Sequence, residues 1–169
     1  MIPRLLTLVL FAALAGAGFS GPCVAETFSI GPGKGFAKIT IPDAWKLKEI
    51  DRGLEARSPD EEVYIWAEAF TDETIQTVMT EHEAYFTKQG VQVIGQAKIV
   101  ELTRDGLKMK ALDVPATWKG VKTVLQYVMI EAGLPSGQKL LLTEWASPEG
   151  DKMYDPDTAA ILNSVVFAK

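Results

Sequence analysis

The chain has 169 residues, with 17 basic against 22 acidic side chains, one histidine and one cysteine. That length suits a single domain with one sizeable core, and the net charge of −5 argues against the general cationic field that DNA, RNA or anionic lipid would require. A lone cysteine excludes an intrachain disulfide, and a lone histidine leaves no imidazole cluster to hold a metal.

The first element in chain order reads as a leader. Arg4 gives a positive start, and Leu5–Leu14 is an apolar run too short to span a bilayer. Gly21 and Pro22 break it, and Cys23-Val24-Ala25 has the small-x-Ala pattern of a signal-peptide cleavage site. The reading is a signal peptide over residues 1–25 and one domain over 26–169, periplasmic or secreted. Its removal takes Arg4 and Cys23 with it, so the mature domain has no thiol to serve as nucleophile or metal ligand. A second reading retains Cys23 as a lipid anchor, but Ser20 and Pro22 fit a lipoprotein signal poorly. No later apolar stretch is long enough for a membrane span.

Strand periodicity begins at Phe36–Ile41, where Ala37, Ile39 and Ile41 alternate with Phe36, Lys38 and Thr40. Pro42-Asp43 ends it, Trp45–Ile50 follows, Asp51-Arg52-Gly53 turns the chain, and Leu54–Arg57 returns. Ser58-Pro59-Asp60 turns again before Glu62–Phe70. Val63, Ile65, Ala67 and Ala69 form one face of that strand; Tyr64, Trp66 and Phe70 form the other, interrupted by Glu68. Two apolar faces predict a central strand covered on both sides.

Thr71 or Asp72 then caps a helix that ends before Gly90, with Ile75, Val78, Met79, His82, Tyr85 and Phe86 on one stripe. Ala97–Thr103 and Leu107–Ala116 flank Asp105-Gly106, a tight-hairpin signal. Lys119-Gly120 turns the chain into Val121–Glu131, Gly133–Gly137 turns it again, and Lys139–Ala146 is the last strand. Asp155-Pro156 announces a short final helix to about Ser164, anchored by Ile161, Leu162 and Val165. The sum is an α+β domain: a meandering antiparallel sheet with helices packed on its faces.

Ile41-Pro42-Asp43-Ala44-Trp45 resembles the "IP-x-x-W" entry of the PsbP-like superfamily. That group includes the PsbP subunit of photosystem II, the DcrB-like and LpqN-like bacterial envelope proteins and a eukaryotic Ran-release factor. The similarity continues through Ser58-Pro59-Asp60 before a central strand, the long helix, the meander and the closing Ile161-Leu162-Asn163-Ser164-Val165. It covers nearly all of the chain after the leader, with Ala44 where glycine is commoner. The resemblance implies an antiparallel sheet with helices on its faces and binding or accessory roles without catalysis. It supplies no catalytic residues.

The candidate chemistry is sparse. His82 lies in the apolar stripe of the main helix, where a buried structural imidazole is expected rather than a general base. The runs Asp60-Glu61-Glu62 and Asp72-Glu73, and the trio Asp151, Asp155 and Asp157, lack the spacing of a calcium-wrapping loop and read as solvated turns or caps. Gly31-Pro32-Gly33-Lys34-Gly35 lacks the spacing and the strand–helix frame of a phosphate loop and reads as a connection into the first strand. Ser136 is a turn residue, and no serine sits in G-x-S-x-G. No cofactor or metal is expected. Trp45, Trp66 and Trp145 read as core. Trp118 sits beside a hairpin tip with Lys119 and Lys122; the favoured reading folds Trp118 back onto the sheet, and if the protein binds a protein partner this trio is the expected contact.

The function expected is that of a non-catalytic binding protein of the bacterial envelope, acting through its surface on a protein partner, with no nucleic acid and no membrane span. The alternatives are a small periplasmic hydrolase using His82 or a carboxylate pair, and an immunity or inhibitor protein. The leader makes the first testable prediction. The intact mass of the exported protein corresponds to a chain beginning at Glu26; a product starting at acylated Cys23 reverses the assignment.

Overall fold

A computed structural model describes residues 25–168. Residues 1–24 of the expected leader, with Cys23, lie outside the described residues. The strands are β1 (Ala25–Ile30), β2 (Ala37–Pro42), β3 (Lys46–Ile50), β4 (Gly53–Arg57) and β5 (Val63–Phe70), followed by helix α1 (Ile75–Lys88). Then come β6 (Val91–Val93), β7 (Lys98–Arg104), β8 (Leu107–Asp113), β9 (Ala116–Trp118), β10 (Val121–Glu131), β11 (Lys139–Ala146), helix α2 (Pro148–Asn163) and β12 (Val166–Phe167).

The main sheet runs β3-β4-β5-β11-β10-β8-β7, with β9 and β6 extending it from one end of β10. A small sheet, β1-β2-β12, stands apart, and every pairing is antiparallel. The α+β antiparallel architecture is therefore as the hairpin signals predict. One face of β5 and β11 carries Val63, Ile65, Ala67, Leu140 and Leu142 into a core shared with the small sheet and Ile161 of α2. The opposite face carries Trp66, Phe70, Leu141 and Trp145 against Val78 and Phe86 of α1. Residues alternate across a strand, so a sheet covered on both faces needs apolar residues at both parities, and β5 and β11 have them. Trp45, Trp66 and Trp145 are buried.

Several boundaries differ from the sequence reading, each for a local reason. α2 starts at Ser147, whose hydroxyl accepts from Gly150 N at 2.9 Å, with Pro148 in the first turn; Pro156 is inside the helix and not at its start. Ser-Pro is as good a start signal as Asp-Pro, and it comes first. α1 begins after Thr74, not Thr71 or Asp72, because Thr71 is used in a preceding turn and Asp72 is paired to Lys139 Nζ at 2.6 Å. The expected strand Leu107–Ala116 breaks at Val114-Pro115 into β8 and β9, since Pro115 has no N–H for the ladder. The segment Gly31–Gly35 closes a β1–β2 hairpin, so it follows a strand that the polar, alternating Glu26–Ser29 did not reveal.

The two-residue hairpins are of the type their sequences predict. Asp105-Gly106 and Lys119-Gly120 hold both central residues at positive φ, 50° and 79° in the first and 50° and 81° in the second. That twist matches the flanking strands. β7 is an outer edge of the main sheet, and Ile99 (55%) and Val100 (36%) stay exposed on it.

Gly53 opens β4 opposite Glu68, and a Cβ there would sit 1.9 Å from the Ala67 carbonyl oxygen, a backbone atom locked in the ladder. Gly53→Ala is therefore expected to cost about 2–3 kcal/mol by overpacking. Gly120→Ala, in open space at φ 81°, is expected to cost only about 1 kcal/mol of backbone strain. Urea unfolding of the two variants checks the order; equal losses would show that the β4 ladder yields.

Candidate functional site

The α1 side of the sheet holds two sets of polar residues. The first is enclosed. Glu68 interrupts the apolar face of β5, and it is 3% exposed. His82, one of three buried residues of α1, donates from Nε2 to Glu68 Oε2 at 2.5 Å. Arg52, in the β3–β4 turn, reaches Glu68 Oε1 from Nε at 3.3 Å and from a terminal nitrogen at 3.1 Å, and its guanidinium also holds Glu81 of α1 at 2.6 Å. Burial works to raise the Glu68 carboxyl, but the His82 hydrogen bond, with the charges of His82 and Arg52, outweighs it and holds the group below the ordinary carboxylate range.

His82 Nδ1 also lies 3.5 Å from Thr143 Oγ1. Hydroxyl, imidazole and carboxylate thus stand in line in the order of a hydrolase triad. Thr143, however, is completely buried, and Tyr127, Trp66 and Phe86 pack around the imidazole. A nucleophile must reach its substrate, and this hydroxyl faces only packed protein. His82 is buried and bonded to a neighbour, as its place on the stripe predicts.

The second set is open. A groove of about 380 Å³ runs between the start of β5, the end of α1 and the β9–β10 hairpin. Tyr64, Tyr85, Trp118 and Trp145 supply its aromatic surface. The Arg57 guanidinium lies 4.9 Å from the Tyr64 ring centre and is bonded to Glu55, whose other oxygen accepts from Trp66 Nε1 at 3.1 Å. Trp118 is 39% exposed. Its indole donates to the Gln89 carbonyl at 2.9 Å, its ring meets Trp145 edge-on at 5.7 Å, and Lys119 Nζ sits 4.4 Å over it. Trp118 thus folds back onto the sheet, as the plainer reading of the sequence has it, while keeping part of its surface open.

The structure brings Trp118 and Lys119 together but not Lys122. Trp118 pairs with Val121 and Thr117 with Lys122, so alternation sends Lys122 to the other face of the hairpin. Tyr64, Tyr85 and Arg57 join the site without having been singled out in the sequence. Only the register of β5 against β11, which places Tyr64 opposite Trp145, brings them to Trp118.

A larger cleft, about 570 Å³, lies where α1 stops short of β8 and β7, with Phe70, Ile75 and Met129 in its apolar part and Lys108, Lys110 and Lys139 on it. Lys139 is held by Asp72 at 2.6 Å and Glu131 at 3.5 Å. Among the described residues no group of three or more His, Cys, Asp or Glu side chains is placed to hold a metal ion, and no helix is long and apolar enough to cross a membrane.

No protein-family profile and no curated protein matches this chain. Solved structures do. The solution structure of cyanobacterial PsbP from Synechocystis sp. PCC 6803 superposes with a TM-score of 0.61 at 8% identity, over 94% of this chain and 99% of that one. A protein from Bacteroides thetaiotaomicron (11% identity, TM-score 0.43, 85% of this chain and 48% of that one) and a protein of unknown function from Pseudomonas aeruginosa (14%, 0.43, 86% and 98%) overlap less well. The fold is PsbP-like.

Removing Glu68 would leave His82 and Arg52 without their shared acceptor, so Glu68→Ala is expected to cost about 3–5 kcal/mol. The pH dependence has a definite sign. A carboxyl held below its ordinary value of 4.5 contributes stability that is present above that value and is lost as pH falls through the lowered one. Glu68→Gln flattens that acid limb. Urea midpoints for wild type and variant at pH 7 and pH 3 check it; an unchanged limb would place the acid sensitivity elsewhere.

Proposed function

We propose that this protein is an exported, non-catalytic accessory protein of the bacterial cell envelope that acts by holding a protein partner in the aromatic groove beside Trp118. The observation that carries this reading is the groove itself. Tyr64, Tyr85 and Trp118 keep open surface there on rigid elements, and large aromatic side chains already fixed in place lose little entropy on binding. Arg57 and Lys119 lie over the ring faces, but Glu55 neutralises Arg57 and Glu61 and Glu62 line the same groove, so recognition there rests on the rings and not on net charge.

A non-catalytic role is supported by the closure of the one histidine-centred constellation. It is supported also by the PsbP-like fold, since the resemblance implies binding and accessory work. The envelope location rests on the leader pattern of residues 1–25. In cell fractionation the protein is expected in the periplasmic or secreted fraction, and retention in the cytoplasm removes that part of the reading.

A photo-crosslinker at position 119 in the intact exported protein is expected to trap a protein partner. Trp118→Ala is expected to lower the yield by about tenfold or more, the loss typical of an aromatic hot spot. The melting temperature should fall only by the few degrees that the Trp145 contact and the Gln89 hydrogen bond account for. A variant that melts far earlier makes Trp118 core, and an unchanged yield moves the contact to another surface.

A further inference from the structure

Helix α2 meets the core through few side chains for its length: Ile161 is buried, and Tyr154 and Leu162 pack against the core partly exposed. Of its residues Pro148–Asn163, only Gly150 and Ile161 are buried. Gly150 lies so close to Glu62 that a Cβ would meet the Glu62 Cβ at 2.7 Å, and Ile161 is part of the core. Between these points Trp45 donates to Asp157 at 3.2 Å and stacks edge-on against Tyr154 at 5.7 Å. The helix ladder is also interrupted there, because Pro156 has no N–H for the Lys152 carbonyl.

Beneath this stretch the sheet presents an acid. Glu144 is on β11, between Ile65 of β5 and Gln126 of β10 in the register of the sheet. Its Oε1 is buried and has no hydrogen-bond partner among the described residues, and a cavity of about 50 Å³ adjoins it, bounded by Gln126, Thr143, Thr158 and Ile161. That is room for water. The charged groups acting on Glu144 are Asp151 and Asp155. Together with Thr158 and Leu162 they follow the three- and four-residue spacing of one helix stripe. The strands flanking Glu144 place Ile65 and Gln126 beside it and bring no cation.

We propose that Glu144 is a proton-operated fastener of α2: with its carboxyl protonated the helix lies on the sheet, and with it ionised the span between Gly150 and Ile161 lifts. Glu144 as a whole is only half-buried, but once ionised it would face two further negative charges, with its inner oxygen bonded to no described donor. Burial, and after it Asp151 and Asp155, push the carboxyl up to about 8, consistent with a group that folds protonated. Lifting the span lets it ionise in water and bares Ile65, Val128 and Leu142 of the sheet face that lines the cavity. The device is independent of the aromatic groove, which lies on the other side of the sheet.

Linkage gives the test a shape. A carboxyl near 4.5 when the helix is lifted and near 8 when it is seated makes lifting about tenfold more favourable per pH unit between those values, levelling off above the upper one. Amide hydrogen exchange of the exported protein, corrected for intrinsic rates, reads this directly for residues 151–160 between pH 5 and 9. The expected result is a rising opening constant with a plateau near pH 8, confined to α2. In Glu144→Gln the slope vanishes. Asp155→Asn moves the plateau to lower pH, and it keeps the test alive should the Glu144 variant fail to fold. A flat wild-type profile, a slope that survives in Glu144→Gln, or the same slope in β5 and β10 overturns the proposal.

Discussion

A carboxylate in the middle of a two-sided sheet is the constraint around which this domain is arranged. β5 has apolar neighbours on both faces, and Glu68 stands among them nearly without solvent. Such a charge is tolerable only with its partners in place. Two elements converge to supply them: α1 brings His82, and the β3–β4 turn brings Arg52. Arg52 then binds Glu81 on the next turn of surface, so one cation ties the helix to the turn as well as to the strand. The placement of α1 follows from apolar burial, through Val78 and Phe86, but its rotation on the sheet is fixed by this hydrogen-bonded line.

The two faces of the sheet have different characters in consequence. The α1 face is rich in rings, with Tyr64, Trp66, Tyr85, Phe86 and Trp145 in mutual contact. Large planar side chains leave irregular margins, and the groove at Trp118 is such a margin. The α2 face is aliphatic, built from Ile39, Ile41, Leu140, Leu142 and Ile161. It packs closely where the small sheet covers it and less so beneath the helix, where Glu144 takes a place that a leucine could fill.

What the sequence disclosed follows the range of the forces involved. Alternation and helical spacing are local, so β5, β10, β11 and α1 are legible directly, as are both Gly-containing hairpin turns. The inward turn of His82 is legible too, since it depends only on the stripe from Ile75 to Phe86. The partner of His82 is not: Glu68 is visible as an irregularity in a strand, but its meaning comes from a contact across the fold. Asp155-Pro156 misled for a related reason. A proline tolerated inside a helix and a proline opening one look alike in a dipeptide, and only the cap at Ser147 separates them. Lys122 was grouped with Trp118 by proximity along the chain, whereas the two-residue period of a strand parts them. Tyr64 and Tyr85 are remote in sequence from Trp118 and meet it only through the sheet register.

The outer strand β7 has a further consequence for how copies of this protein share a crowded compartment. Among the described residues its outward edge has no strand partner, and Ile99 and Val100 would favour annealing to another strand. Two copies aligned about a two-fold axis through Glu101 would set Glu101 against its own image and Lys98 against Arg104. Every charged residue of the strand would then face its own sign. In that register the charges of β7 oppose its pairing with its own twin. They leave the edge open to a strand of different sequence, whose charges need not repeat that pattern.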